Sequence, residues 1–262
     1  MTGYDRNGFV QFLLTRFDAA AVNHSVARYL IGTDEGRCVF WQVDGQGRIR
    51  TGKLIAYNPA TGKRRKDTNP NWSHAELKKR GVLPDSFELA QCFFGDHLLK
   101  AEPSAPVAIV EAEKTAVIAS LILPEFVWLA CGGKTQLSAG RLATLRNRRV
   151  LLFPDGDGFE RWQSIANEAA AQGLDIRCSD LIERQGAAEE KAEGFDLADY
   201  LLASVEQRNA FAQLLIEADE GTRYAIEERA AVYEFDAGFA RDEAEAMAAR
   251  EWQGHWSERQ AA

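Results

Sequence analysis

Four short apolar segments, separated by segments of helical periodicity, constrain the fold of this chain more than any other feature. The apolar segments are 107–110, 126–130, 149–153 and 174–178, and the helical segments between them are 113–123, 138–145 and 159–172. Fully apolar strands that alternate with helices are typical of a parallel sheet covered on both faces. The pattern therefore predicts an α/β domain with a Rossmann-like parallel sheet over residues 103–203.

A different pattern precedes this domain and predicts a smaller α+β subdomain over residues 1–102. Residues 8–17 have helical spacing, and 72–80 favour a second, short helix. Between them, the segments 37–44 and 49–57 are rich in β-branched and aromatic residues and flank Gly45-Gln46-Gly47. Two such segments around a glycine-rich turn are typical of a β-hairpin.

The loop at 101–106 separates these two regions, and residues 204–262 form a third. The third region is acidic, and its pattern predicts helices without strands. Asp236-Ala237-Gly238 is expected to separate two of those helices, because Asp and Gly are frequent at helix ends.

The composition excludes several broad classes of protein. With 46% hydrophobic and 27% charged residues, the 262-residue chain is not of the disordered type. No apolar segment approaches the roughly 18–20 residues of a membrane span, and the first residues lack a secretory pattern. The four cysteines form no CxxC pair, which disfavours a zinc site. We therefore expect a cytoplasmic protein with no membrane partner.

The net charge of −8 is unevenly distributed along the chain. Residues 1–100 carry a net charge of +5, and residues 48–80 alone hold ten basic and two acidic side chains. A concentration of positive charge in an acidic protein indicates a polyanionic partner. The candidate nucleic-acid-binding residues are Arg48, Arg50, Lys53, Lys63, Arg64, Arg65 and Lys66. Trp41, Tyr57 and Trp72 are candidate surfaces for base stacking.

Acidic residues follow the predicted strands at their carboxyl ends. Glu111 follows the first strand, and Asp155 and Asp157 follow the third. Ligands of open parallel sheets gather at this edge. Further along, Asp196 and Asp199 lie about one helical turn apart. Crowded carboxylates repel one another unless a cation neutralises them, and oxygen ligands favour Mg²⁺ or Mn²⁺. These five residues are therefore candidate metal ligands.

A glycine turn with a nearby lysine supplies the complementary phosphate-binding groups. Gly132, Gly133 and Lys134 follow the second strand, and Lys114 opens the helix after the first. A turn without side chains lets phosphate approach backbone amides, and lysines bind phosphate oxygens as point charges. We expect Gly132, Gly133, Lys134 and Lys114 to bind the phosphates of a nucleotide.

These motifs resemble the Toprim domain, the catalytic module of bacterial-type primases, topoisomerases and some nucleases. VAIVEAEKTA resembles the glutamate motif at Glu111, and LLFPDGDGFERW resembles the Asp-x-Asp motif at Asp155 and Asp157. GFDLADYLL resembles a further acidic segment of primases. The resemblance implies that Glu111, Asp155 and Asp157 are catalytic, with Asp196 and Asp199 supporting a further metal.

The first region resembles the subdomain that precedes Toprim in bacterial-type primases and guides the single-stranded template. RCVFWQVDGQGRIRTGKLI carries this likeness. Residues 8–202 as a whole look like Toprim proteins of phages and mobile elements. The implied partners are a single-stranded DNA template, nucleoside triphosphates, and a helicase or other replication protein.

The function favoured by these features is a primase-like nucleotidyltransferase that uses Mg²⁺ or Mn²⁺ for phosphoryl transfer in the replication of DNA or a mobile element. Two alternatives stay open. A Toprim nuclease would use the same carboxylates. A non-catalytic nucleic-acid-binding replication adaptor is favoured by the residues after Glu111, because Ala112-Glu113-Lys114-Thr115 departs from the Gly-aromatic-x-Asp sequence usual in primases.

Overall fold

The computed structural model describes residues 3–84, 86–187, 191 and 194–260. It is a mixed α/β structure that contains one antiparallel sheet, one parallel sheet and a helical C-terminal region. The chain divides into two compact units, Met1–Ala198 and Asp199–Ala262. Both sheets lie in the first unit, and the division of the chain into domains at 1–102, 103–203 and 204–262 stays a prediction.

The first sheet is built from residues of the basic N-terminal region. Its strands pair antiparallel in the order β1-β2-β3-β4, with β1 at Gly32–Asp34, β2 at Arg37–Val43, β3 at Ile49–Ile55 and β4 at Asn71–Trp72. The helices of this region are α1 at Gly8–Leu14, α2 at Ala19–Arg28, α3 at Ser73–Lys79 and α4 at Leu98–Ala101. The predicted hairpin corresponds to β2 and β3.

Trp41 explains two glycines in this sheet. A Cβ atom added to Gly32 would lie 2.7 Å from Trp41 Nε1, and one added to Gly52 would lie 2.6 Å from Trp41 Cε3. The indole therefore rests across the backbone of β1 and β3, where any larger residue would displace it. The opposite sheet face packs against α1, where the ring centroids of Phe9 and Phe40 are 5.5 Å apart.

The second sheet is parallel, as its continuous apolar strands predict. Its strands lie in the order β6-β5-β7-β8, with β5 at Val107–Val110, β6 at Val127–Ala130, β7 at Arg149–Leu152 and β8 at Asp175–Cys178. The helices are α5 at Glu113–Ile122, α6 at Ala139–Leu142, α7 at Phe159–Ala171 and α8 at Leu181–Gln185. Every residue of β5 and β6 is buried.

Right-handed crossovers place the helices of this sheet on opposite faces. From β5 the chain crosses to β6 in one direction, and from β7 it crosses to β8 in the other. Because βαβ connections are nearly always right-handed, α5 covers one face and α7 the other. The loops after β5 and β7 thus diverge between neighbouring strands, which creates a crevice at their carboxyl ends.

The N-terminal region closes one edge of the parallel sheet. The backbone of Phe94 pairs with that of Ala130 on the edge strand β6, with N–O distances of 3.0 and 3.1 Å. The Tyr29 hydroxyl donates to the carbonyl of Trp128 on the same strand. These bonds satisfy backbone groups that an edge strand would otherwise leave unpaired.

The second unit consists of helices, as the sequence predicts. The helix α9 spans Leu197–Glu217 and contains the division between the units, and α10 at Glu220–Phe235 and α11 at Arg241–Gln260 follow. The predicted break at 236–238 lies between α10 and α11. The core of this unit consists of Phe211, Ile226, Ala230, Ala248 and Ala249. Among the described residues, no helix combines the length and the apolar character of a membrane span.

Candidate active site

The crevice between β5 and β7 holds the acidic residues singled out by the sequence. Glu111 follows the last residue of β5, and Asp155 follows β7 after Phe153 and Pro154. The Asp155 backbone N–H donates a hydrogen bond to the Glu111 carboxylate. The two strands are parallel neighbours, so the predicted convergence of these two residues at one edge is present in the structure.

Glu111 is buried at the base of the crevice. Only 6% of its surface is exposed, and its Oε1 atom has no hydrogen-bond partner among the described residues. A Cβ atom on Gly158 would lie 2.8 Å from this Oε1, so the glycine at the start of α7 leaves room for the carboxylate. Burial raises the pKa of Glu111, and the nearby carboxylates of Asp157 and Asp196 raise it further.

Among the carboxyl groups of the crevice, Asp155 has the pKa that is raised furthest above its ordinary value. Burial raises its pKa to about 8, and the charges of Glu111, Asp196 and Asp157 act in the same direction. Its Oδ1 atom is buried and has no hydrogen-bond partner in the described part of the chain. A carboxylic acid with this pKa is mostly protonated at neutral pH unless a cation is close to it.

Asp196 joins this group from a distant part of the sequence. It is 6% exposed, and its Oδ2 atom accepts a hydrogen bond of 2.9 Å from Thr115 Oγ1. Lys114 Nζ lies 3.7 Å from the same oxygen. Asp199 stands three residues later, at the first position of the second compact unit, whereas Asp196 belongs to the first.

The turn after β6 carries the third set of predicted residues. Gly132 and Gly133 both have positive φ, at 90° and 150°, which explains why glycine occupies both positions. Lys134 Nζ lies 2.6 Å from Asp157 Oδ2, so the turn is joined to the loop after β7 by an ion pair. Trp162, on α7, donates its indole N–H to the Lys134 carbonyl at 3.4 Å.

Arg141, which the sequence analysis did not single out, fixes the two ends of this turn. Its guanidinium donates to the carbonyls of Cys131 at 3.0 Å and Gln136 at 3.1 Å. It also lies over the ring of Phe93, 4.3 Å from the centroid. In the sequence Arg141 is one of many arginines, and only the fold shows that it supports the turn.

The chemistry of the crevice fits a divalent cation, although its ligands are not yet arranged around one. Glu111 Oε1 and Asp155 Oδ1 are unpartnered carboxylate oxygens, which hard cations such as Mg²⁺ prefer. Within the described residues, however, no three His, Cys, Asp or Glu side chains are positioned to hold one ion together. Two of the carboxylates already pair with lysines: Asp157 pairs with Lys134, and Asp196 pairs with Lys114.

The predicted nucleic-acid-binding residues separate into two groups. Arg48 and Arg50 contact Asp44 Oδ2 at 2.9 and 2.7 Å, so both pair with the same carboxylate, which offsets one of their two charges. In the loop between β3 and β4, Arg65 pairs with Asp67. Three other cations, Lys63, Arg64 and Lys66, are exposed and form no ion pair among the described residues. We refer to Lys63, Arg64 and Lys66 as the basic loop.

Lys53 departs from the expectation that it contacts nucleic acid. Its side chain is only 18% exposed, and its Nζ lies 3.0 Å from Glu113 Oε2. The same ammonium donates to the Gly132 carbonyl at 3.1 Å. Lys53 lies on β3 and pairs with Phe40 of β2, whereas Trp41 pairs with Gly52. Because successive side chains of a strand alternate, Lys53 points to the sheet face opposite to that of Trp41.

Tyr57 also differs from its expected role. It is 8% exposed and packs against Phe9 and Phe40, with ring centroids 5.3 and 6.1 Å apart. It is a core residue and offers no face for base stacking. Trp41 and Trp72 are partly exposed, and base stacking by them stays a prediction.

The family model described as "Domain of unknown function (DUF6371)" matches residues 7–156 of the chain. This range covers the antiparallel sheet, β5 to β7, and the carboxylates Glu111 and Asp155. No curated protein matches the sequence.

Several solved structures of primases are similar in fold. The primase fragment of the bacteriophage T7 primase-helicase has 16% identity and a TM-score of 0.41, with 65% of this chain and 69% of that fragment covered. The Aquifex aeolicus primase fragment, with zinc-binding and RNA polymerase domains, has 16% identity and a TM-score of 0.41, with 89% and 60% covered. A DnaG primase catalytic domain bound to ssDNA has 17% identity and a TM-score of 0.40, with 84% and 72% covered.

Proposed function

The chain belongs to a family whose description, "Domain of unknown function (DUF6371)", assigns no activity, and we propose from its site that it is a primase-like nucleotidyltransferase of the Toprim type. One observation carries the proposal. Glu111 and Asp155, from neighbouring strands, share the crevice of the parallel sheet, and each has a buried, unpartnered carboxylate oxygen. Carboxylates with raised pKa values are frequent at functional sites, and carboxylates near a glycine turn that can bind phosphate are typical of phosphoryl-transfer sites.

In this proposal, Glu111, Asp155 and Asp157 hold Mg²⁺ or Mn²⁺, and Asp196 supports a further ion. When bound, the metal would neutralise phosphate charge during nucleotidyl transfer. Asp199, the fifth predicted ligand, belongs to the second compact unit, and its role as a ligand stays a prediction.

The chain's own residues then perform three tasks. Lys114, Lys134 and the amides of the Gly132-Gly133 turn bind the triphosphate. Glu111 accepts the proton of the hydroxyl that attacks the α-phosphorus while pyrophosphate leaves, and burial, which raises the pKa of Glu111, makes it a stronger base. The basic loop binds the phosphates of the single-stranded template, and Trp41 and Trp72 offer faces to its bases.

Template-directed synthesis with purified protein tests the proposal. The reaction contains single-stranded DNA, labelled nucleoside triphosphates and either Mg²⁺ or Mn²⁺. We expect oligonucleotide products from the wild type, and none above background from Asp155→Asn. Asp175→Asn is the matched control, because Asp175 is an exposed aspartate at the amino end of β8, on the opposite edge of the sheet.

Absence of products with every metal, from a protein that binds Mn²⁺, would reject the proposal. Degradation of circular single-stranded DNA that Asp155→Asn abolishes would identify the nuclease instead.

A non-catalytic adaptor is the second candidate, and one observation favours it. Lys134 and Lys114 already pair with Asp157 and Asp196, so two of the four acids of the crevice are neutralised without a metal. For an adaptor, single-stranded DNA binding would be unchanged by replacement of Glu111, Asp155 and Asp157 together, and no turnover would occur with any metal.

A further inference from the structure

Lys53 forms a buried contact between the two sheets at the back of the glycine turn. It lies on β3 of the antiparallel sheet, whereas both of its partners belong to the parallel-sheet half: Glu113 on α5 and the Gly132 carbonyl after β6. Glu113 is 1% exposed, so the ammonium is its compensating charge. An unpaired charge at this depth would be strongly unfavourable, which makes the contact a fixed part of the structure.

The contact fixes the orientation of one peptide group of the turn. Lys53 holds the Gly132 carbonyl, while the Gly132 N–H donates to the Glu111 carbonyl at 3.0 Å. The N–H belongs to the peptide before Gly132 and the carbonyl to the peptide after it, so both peptides that flank the Gly132 Cα are held, and the Gly132–Gly133 peptide cannot rotate without breaking the bond to Lys53. The next residues, Gly133 and Lys134, are those that the proposed function assigns to phosphate binding, so their direction depends on this peptide.

Glu113 limits the space around the same peptide. A Cβ atom on Gly132 would lie 3.4 Å from Glu113 Oε1, which is itself buried and has no hydrogen-bond partner among the described residues. Lys53 therefore determines where this carboxylate lies, and the carboxylate lies against the turn. Without the ammonium, the Glu113 side chain would move towards water and leave the turn unsupported on this side.

We propose that Lys53 is a positioning residue, which acts through the Gly132 carbonyl and Glu113 to hold the glycine turn in the orientation that nucleotide phosphates require. The inference rests on the proposed function, and it deepens it by giving the first sheet a role in nucleotide binding. Lys53 has no contact with the single-stranded template. Its neighbour in the predicted basic set, the basic loop, retains that role.

Three variants of the full chain test the proposal. Lys53→Met removes the charge at similar length, Lys53→Arg keeps it, and Lys53→Met with Glu113→Gln removes both charges and so avoids an unpaired buried carboxylate. Lys66→Met, in the exposed basic loop, is the matched lysine control. The probes are the Mn²⁺ complex of ATP, a fluorescent single-stranded oligothymidylate, and amide hydrogen exchange of the peptide that covers residues 131–136.

We expect Lys53→Met and the double variant to raise the Kd of Mn²⁺-ATP, and the KM for nucleotide, about tenfold, with kcat within about twofold of the wild type, because a small misplacement of a binding group is costly. Lys53→Arg should recover most of the affinity. Exchange at 131–136 should accelerate, while exchange at 175–178 stays unchanged. The oligothymidylate Kd should stay within about twofold for the Lys53 variants and rise for Lys66→Met.

Two results would overturn the proposal. One is a folded double variant with unchanged Mn²⁺-ATP affinity and unchanged exchange at 131–136. The other is a loss of oligothymidylate affinity in Lys53→Met as large as in Lys66→Met, which would make Lys53 a template contact. If the wild type binds no Mn²⁺-ATP, the proposed function fails separately. The exchange measurement then decides alone, because unchanged exchange in the turn excludes positioning by Lys53.

Discussion

At the scale of single residues, the candidate site combines carboxylates whose environments differ. Glu111 and Asp155 are withdrawn from solvent and have raised pKa values, whereas the side chain of Asp157 is 62% exposed and is paired with Lys134. In the absence of a metal, the lysine takes the position of a counter-ion. A cation that recruits Asp157 must therefore displace Lys134, which frees the ammonium for phosphate.

This competition predicts that removal of a positive charge strengthens cation binding. Lys134→Met should lower the Kd for Mn²⁺ by roughly two- to five-fold, the range of an exposed ion pair, and should weaken binding of Mn²⁺-ATP. Electron paramagnetic resonance of free Mn²⁺ measures the first effect. Lys79→Met, on the exposed side of α3, should change neither. Weaker Mn²⁺ binding by Lys134→Met would contradict the competition.

Asp155 predicts a pH dependence of stability. Its pKa in the folded protein, about 8, lies above the ordinary value of 3.8, so the folded state holds the proton more tightly than the unfolded state. The contribution of Asp155 to the free energy of unfolding is therefore fully present below about pH 4 and is lost as the pH rises through about 8. Urea unfolding in EDTA across this range measures it.

Asp155→Asn should make the free energy of unfolding depend less on pH between about pH 4 and 8, because the amide does not titrate there. Added Mg²⁺ should restore stability at the alkaline end in the wild type only. A variant profile as steep as that of the wild type would show that another group is responsible.

At the scale of elements, the sequence predicted the parallel sheet well because two of its strands, β5 and β6, are buried on both faces. Uninterrupted apolar segments such as 107–110 leave little choice of structure, and β5 has these bounds. The helix α2, at Ala19–Arg28, and the short strand β1, at Gly32–Asp34, were not predicted. Only three residues of α2 are buried, so its apolar pattern is weak. The strand β1 has three residues, which is too short to show an alternation of apolar and polar side chains.

The candidate site was predictable where it depends on strand ends and not where it depends on contacts between sheets. Glu111 and Asp155 follow apolar strands, so their convergence follows from the topology of a parallel sheet. The inward direction of Lys53 depends on a partner sixty residues later in the chain, Glu113. No periodicity of the sequence encodes such a pairing, and charge alone grouped Lys53 with the exposed cations.

A substitution at Gly158, just before α7, is expected to lower activity more than stability. Gly158→Ala would place a methyl group within 2.8 Å of Glu111 Oε1. The carboxylate is the free end of a side chain and can turn away, so we expect a small change in Tm and at least a tenfold loss of synthesis. Gly140→Ala is the control, since its Cβ atom would meet nothing within 4 Å. Equal activities of the two variants would contradict the placement of Glu111.

At the scale of the whole molecule, the distribution of charge predicts how the proposed binding of single-stranded DNA depends on salt concentration. Of the seven predicted cations, three remain exposed without ion pairs among the described residues, and these form the basic loop. Each phosphate contact to a single strand contributes about 0.7 to the slope of log K against log salt concentration. Replacement of Lys63, Arg64 and Lys66 by Ala should therefore lower the magnitude of the slope by about 2.

Replacement of Lys78, Lys79 and Arg80 by Ala is the matched control for that measurement, since it removes the same charge from the end of α3. Fluorescence anisotropy of a labelled oligothymidylate at several salt concentrations measures both slopes. Equal slopes for the two triple variants would show that the effect comes from net charge and not from the basic loop.

The backbone pairing of Phe94 with Ala130 has a consequence for any attempt to excise the parallel sheet as an independent piece. A fragment that begins at residue 103 would lose this pairing and leave the backbone amides and carbonyls along the outer side of β6 without partners. An unpaired edge strand of this kind can pair with the edge strand of a second copy. We expect that fragment to precipitate or polymerise, whereas a fragment that retains the N-terminal residues keeps β6 paired with Phe94.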